Sequence, residues 1–148
     1  GLRYAQANAL IHSLLLDETF SALSLAERTA VQNRILTEIK RRMLEDIVLL
    51  EAKLANPKKQ VFVLQFPLGE FDMVIFDPEA GSCQIFEIKH SQEAISQQYR
   101  HLIDKEKCAQ TEHRYGPITG KFVLYRGKSQ LVDDIQYQNV EEYLQSLA

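Results

Sequence analysis

GEFDMVIFDPEAGSCQIFEIK, residues 69–89, is the stretch on which the fold of this chain turns. Two apolar runs, Phe71 to Phe76 and Ile85 to Lys89, flank Asp77-Pro78-Glu79-Ala80-Gly81, whose residue types make turns. The pattern predicts an antiparallel hairpin. If Phe76 pairs with Cys83, then Val74 faces Ile85 and Asp72 faces Glu87. Residues directly opposite share a face, and Lys89, two beyond Glu87, shares it too. Two carboxylates and an ammonium are thus expected on one patch. A register slip of two residues preserves it, whereas a bulge would undo it.

Like charges placed opposite each other repel, so a positive group is expected between Asp72 and Glu87. A hard divalent cation such as Mg²⁺ or Mn²⁺ suits carboxylate oxygens. Zinc suits the hairpin less, because it holds no His and only Cys83, near the turn. A salt bridge from Lys89 to both acids is the alternative that geometry leaves open.

Upstream, apolar residues recur three and four apart, with no Pro before Pro57. Ala7, Leu10, Ile11, Leu14 and Leu15 predict a first helix. Ser24 and Glu27 have capping-box spacing, and Val31, Ile35, Ile39 and Met43 carry a second, long helix toward Leu54, stopped by Asn56-Pro57. From Leu44 to Leu54 this helix is apolar on most sides, which predicts that it is sandwiched between other elements and makes any charge on it informative. Val61 to Phe66 reads as a buried strand closed by Pro67.

Downstream, Ser91 is expected to cap a helix reaching about His113. Gly116-Pro117 and Gly120 break the chain, Lys121 to Tyr125 forms a strand, and Val140 to Leu147 a short final helix. The order from Leu25 is αβββαβ plus the terminal helix. This is an α/β (α+β) fold with a mixed central sheet flanked by helices and an N-terminal helical extension.

A chain of 148 residues with 45% hydrophobic content has material for one core. It reads as a single domain, 1–148, with a helical part in 1–57 and the sheet, crossover helix and terminal helix in 58–148. With a net charge of −3 and 25% charged residues the surface is expected to be mixed, and nothing in the sequence resembles a polybasic tail. Cys83 and Cys108 read as free thiols. No apolar run approaches the roughly 20 residues of a membrane span, so a soluble, cytoplasmic chain without a membrane partner is expected.

Gly116 to Lys121 lacks the spacing of a phosphate loop and reads as a turn before a strand. His90 reads as structural. His101, Cys108 and His113, spaced by seven and five, match no metal pair. Lys40-Arg41-Arg42 and the Arg100, Lys105, Lys107 group are either phosphate contacts beside a site or solvated faces.

Asp72 within Gly69-Glu70-Phe71-Asp72, fifteen residues ahead of Glu87 in Glu87-Ile88-Lys89, resembles the bipartite signature of the PD-(D/E)XK nuclease superfamily. The αβββαβ order is also that superfamily's core. The resemblance implies a further acid on the preceding helix, within Leu44-Glu45-Asp46-Ile47-Val48: Glu45, with Asp46 and Glu51 as rivals. It implies Asp72, Glu87 and Glu45 as ligands of Mg²⁺ or Mn²⁺, with the Ile88 carbonyl as a further one. Lys89 would orient water or stabilise the phosphorane-like transition state. Arg41 stands where many members carry a small residue. Some members have Gln-x-x-x-Tyr on the next helix; here Ile95 precedes Tyr99 at that spacing, and Gln98 is the accessory candidate.

More closely, Met43 to Lys89, with Ile88-Lys89-His90-Ser91, Tyr115-Gly116 and Leu124-Tyr125-Arg126-Gly127, resembles the C-terminal domain of a bacterial AAA-type ATPase family. That implies an ATPase module upstream, in keeping with a start at Gly1, and DNA as partner. The expected function is metal-dependent hydrolysis of DNA phosphodiester bonds. The alternatives are an inactive nuclease-like DNA-binding or protein-docking module, and a structural oligomerisation domain.

Overall fold

Helix α1, Leu25–Ala55, opens as its capping box requires. The Glu27 amide donates to Ser24 Oγ (3.2 Å) and the Ser24 amide to Glu27 Oε1 (3.4 Å). It closes at Asn56, whose side-chain amide donates to the Ala52 carbonyl (2.9 Å), one residue before Pro57. The computed structural model describes Ala9, His12 and residues 22–148. The stripe Ala7, Leu10, Ile11, Leu14 and Leu15 lies outside the described residues. The chain divides into two units, Gly1–Leu44 and Glu45–Ala148, with the boundary inside α1.

Within the second unit, α1 buries one stripe, Glu45, Val48 and Ala52, spaced by three and four. The expected sandwiching of Leu44 to Leu54 is corrected here: Ile47, Leu50 and Leu54 are 45%, 57% and 68% exposed. A helix against one partner buries one side, and the apolar residues on its other side stay in water.

The sheet has six strands: β1 Gln60–Gln65, β2 Glu70–Asp77, β3 Ser82–Ile88, β4 Ile118–Tyr125, β5 Gln130–Val132 and β6 Ile135–Asn139. Their spatial order is β1-β2-β3-β4-β6-β5. The first three strands form an antiparallel meander, β3, β4 and β6 run parallel, and β5 returns antiparallel at the edge. The protein is therefore α+β with a mixed sheet. The β2–β3 register follows the alternation of the sequence, pairing Phe76 with Cys83 and Val74 with Ile85. Asp77 Oδ1 organises the turn by accepting from the amides of Glu79 (3.0 Å) and Ala80 (3.2 Å).

Two expectations downstream are corrected. Instead of one helix from Ser91 to His113 there is a 3₁₀ turn, Ser96–Tyr99, and a separate helix α2, Lys105–Tyr115. Local side-chain bonds divert the backbone. Gln98 Oε1 accepts from the Ile95 amide (3.0 Å), and Asp104 Oδ1 caps α2 through the Lys107 amide (3.1 Å). The β5–β6 hairpin was not anticipated either. Its turn residues Asp133 and Asp134 both have positive φ (47° and 67°), the requirement of a type I′ turn, met here without glycine. Helix α3, Val140–Ser146, follows, with Asn139 Oδ1 accepting from the Glu142 amide (3.1 Å).

One core layer gathers Phe71, Val74, Ile85, Val123, Tyr125 and Tyr137 with Tyr99, Leu102 and Cys108 from the crossover. Elsewhere Phe86 stacks on Phe122 (centroids 4.7 Å apart, 15° between planes) and meets Tyr143 of α3. Both cysteines are buried free thiols. Gly116 (φ 79°) turns the chain into β4, and a Cβ there would fall 1.8 Å from the Gly81 carbonyl oxygen. Among the described residues no helix is long and apolar enough to cross a membrane.

Candidate metal centre

The site begins with one extra residue in β2. Phe62 pairs with Val74 and Leu64 with Phe71, so Asp72 and Met73 together oppose Val63 alone. Such a bulge bends a strand and resets its alternation. Phe71 and Val74, three apart, consequently both enter the core. The irregularity lies against β1; toward β3 the ladder is unbroken from Asp77–Ser82 to Met73–Phe86. Beyond that pair Asp72 Oδ2 accepts the Ile88 amide hydrogen (2.8 Å). A side chain thus satisfies a buried backbone donor at the end of the ladder, and it holds the carboxylate in place.

Carboxylate oxygens of Glu45, Glu70 and Asp72 lie within 4.8 Å of one another. Glu45 is 4% and Asp72 5% exposed, while the rivals Asp46 and Glu51 are exposed, so Glu45 is the acid that α1 delivers. Glu70 had no assigned role in the sequence, yet its signal was there: it stands two residues before Asp72 on the same strand. Glu87 lies outside this triad and adjoins it, its carboxyl within hydrogen-bonding reach of Asp72. Lys89 Nζ is 3.5 Å from Glu87 Oε2, with about a third (34%) of its side chain exposed. Gln98 sits in the 3₁₀ turn, its side-chain amide donating to Ser91 Oγ and the Glu93 carbonyl.

Each pair of ionised carboxylates this close repels by about 3 kcal/mol at an effective dielectric of about 20. Glu87 shows the result. Burial first, and the adjacent Asp72 carboxylate second, push its carboxyl well above the usual carboxylate range, with Lys89 only partly opposing them. Without a cation the folded chain therefore keeps a proton that the unfolded chain loses near pH 4.5. A raised folded pKa stabilises fully below that pH, and the contribution fades as pH rises toward the folded value. In EDTA, the parent domain is expected to lose thermal stability progressively from about pH 5 to pH 9, whereas Glu87→Gln flattens the profile. Parallel melting profiles for the two proteins would contradict a proton kept on Glu87.

The β1–β2 connection bounds the site at Gly69, held at φ 101°. A Cβ at this position would come within 2.6 Å of His101 Cε1. Gly69→Ala is expected to cost about 1–3 kcal/mol, read as a lowered urea midpoint with unchanged slope.

No family model matches the chain, and neither a curated protein nor a solved structure matches it. The chemistry of the donor set bears on the ion it suits. Three converging carboxylates are hard oxygen ligands, and beside them Glu87 Oε1 is buried without a hydrogen-bond partner. Such a set fits a hard divalent cation, which would offset the repulsion.

Proposed function

We propose that this domain is a metal-dependent nuclease that hydrolyses DNA phosphodiester bonds, with Glu45, Glu70 and Asp72 holding Mg²⁺ or Mn²⁺ and Glu87 and Lys89 completing the site. The observation that carries the proposal is the junction at Asp72 of the triad, in which Glu45 and Asp72 are buried and Glu70 half-buried, with the Glu87–Lys89 pair. When bound, a divalent ion supplies Lewis acidity, making water acidic near neutral pH and countering phosphate charge.

The protein residues supply position and field. Asp72 is fixed by the Ile88 amide and is common to both groups of acids. Glu87 pairs with the Lys89 ammonium, and this lysine, with about a third (34%) of its side chain exposed, would meet a phosphate oxygen or the attacking water. Glu45 comes from a helix and Glu70 from the strand that carries Asp72, so the triad is built on regular elements. Attachment to an upstream AAA-type ATPase belongs to the same proposal and is supported by the sequence resemblance.

The test is incubation of the domain with supercoiled plasmid and linear DNA in Mn²⁺, Mg²⁺, Ca²⁺ or EDTA, alongside calorimetric titration of Mn²⁺. Saturable heat and nicking in Mn²⁺ or Mg²⁺, lost in EDTA, are expected. Saturable DNA binding without cleavage under any ion would favour the docking-module alternative.

A further inference from the structure

The crossover contributes a group that the proposed nuclease does not yet use. His101 follows the 3₁₀ turn, and its ring lies over Gly69, the residue preceding Glu70 of the triad. Lys107 Nζ, from the first turn of α2, stands 3.2 Å from His101 Nδ1. An ammonium only donates, so Nδ1 accepts and the ring proton resides on Nε2. This lysine is no solvated surface cation: only 13% of its side chain is exposed, its Nζ also lies 3.5 Å from Asp104 Oδ2, and it sits 5.8 Å from the centroid of the Phe66 ring. Burial, followed by the positive charges of Lys107, Arg100 and Lys89, disfavours the imidazolium, with Asp72 the opposing charge. The charges it feels include one group from each half of the proposed site, Asp72 and Lys89.

We propose that His101 is a phosphate-binding residue at the rim of this site, a neutral Nε2–H donor held in one tautomer by Lys107, that contacts a DNA phosphate neighbouring the bond to be cut. A neutral donor suits a position in the field of Lys107, Arg100 and Lys89, because it binds a phosphate oxygen without adding a fourth mutually repelling cation. Gly69 has no side chain because the ring needs the space above it. The inference rests on the nuclease reading for its ligand, yet binding alone can test it.

Binding of a fluorescent duplex of about 20 base pairs is measured in Ca²⁺ across a salt series, for the parent chain, His101→Phe and His101→Gln. The Phe variant keeps a ring over Gly69 without the donor, and the Gln variant keeps a neutral donor. The expected result is about tenfold weaker binding for His101→Phe, with recovery of most of it in His101→Gln. The slope of log affinity against log salt should be unchanged in both, since no cation is lost; loss of a phosphate-paired charge would lower it by about 0.9. Melting curves confirm that each variant is folded. Parent-like binding by folded His101→Phe, a slope reduced by about 0.9, or no duplex binding by the parent chain overturns the proposal. Normal binding effects in a chain that cuts nothing in Mn²⁺ or Mg²⁺ would leave His101 as a DNA contact and remove the nuclease reading.

Discussion

Lys89→Ala is expected to reduce Mn²⁺-dependent cleavage by about 10²–10³-fold while leaving a saturable Mn²⁺ heat. The ammonium lies 3.5 Å from Glu87 Oε2 on a side chain that is about a third (34%) exposed, so it adjoins the site without belonging to the triad. Its removal takes away the fixed positive charge available to a developing phosphorane. It also removes the one influence that lowers the proton affinity of Glu87, so Mn²⁺ binding should weaken by a few fold and need a higher pH. Initial rates on supercoiled plasmid, together with calorimetry at two pH values, separate the two effects. Parent-like rates in the variant would assign Lys89 to a structural ion pair.

Asp72→Asn is expected to lower Mn²⁺ affinity by at least about 100-fold and, at neutral pH without metal, to raise the melting temperature. The amide oxygen can still accept the Ile88 amide hydrogen, so the end of the β2–β3 ladder survives. The negative charge shared by the triad and Glu87 does not. Relief of that repulsion lets Glu87 ionise more readily, which is where the added stability comes from. Asp72→Ala should behave differently, since it leaves a buried amide without its acceptor, at a cost of about 1–3 kcal/mol. Thermal melts and calorimetry on both variants check the contrast. An Asn variant with undiminished Mn²⁺ heat would dissociate Asp72 from metal binding.

Residues 69–89 made the hairpin legible because alternation and turn chemistry agree there, and the observed register follows them from Asp77–Ser82 to Met73–Phe86. Glu45 was legible only by resemblance: it shares its helix with Asp46 and Glu51, and burial separates the three. Glu70 was available from a period of two. The bulge was not, since Asp72-Met73 contains neither glycine nor proline to announce it. The broken crossover was hidden because apolar spacing continues past Ile95, whereas the diverting bonds of Gln98 and Asp104 depend on side-chain positions. The β5–β6 hairpin was hidden by an Asp-Asp turn that lacks glycine.

Met73, as one half of the doubled pair opposite Val63, sets the ways in which such a domain can fall silent. Excising one peptide unit there would remove the bulge and restore simple alternation, so Phe71 and Val74, then two apart, would keep Leu64 and Phe62 as partners and both stay in the core. Toward β3, however, Asp72 would move up to the place that Met73 holds opposite Phe86, one step away from the Ile88 amide that fixes its carboxylate. Descendants can therefore retire the chemistry either by exchanging individual acids or by losing one residue of this strand, and keep the core in both cases.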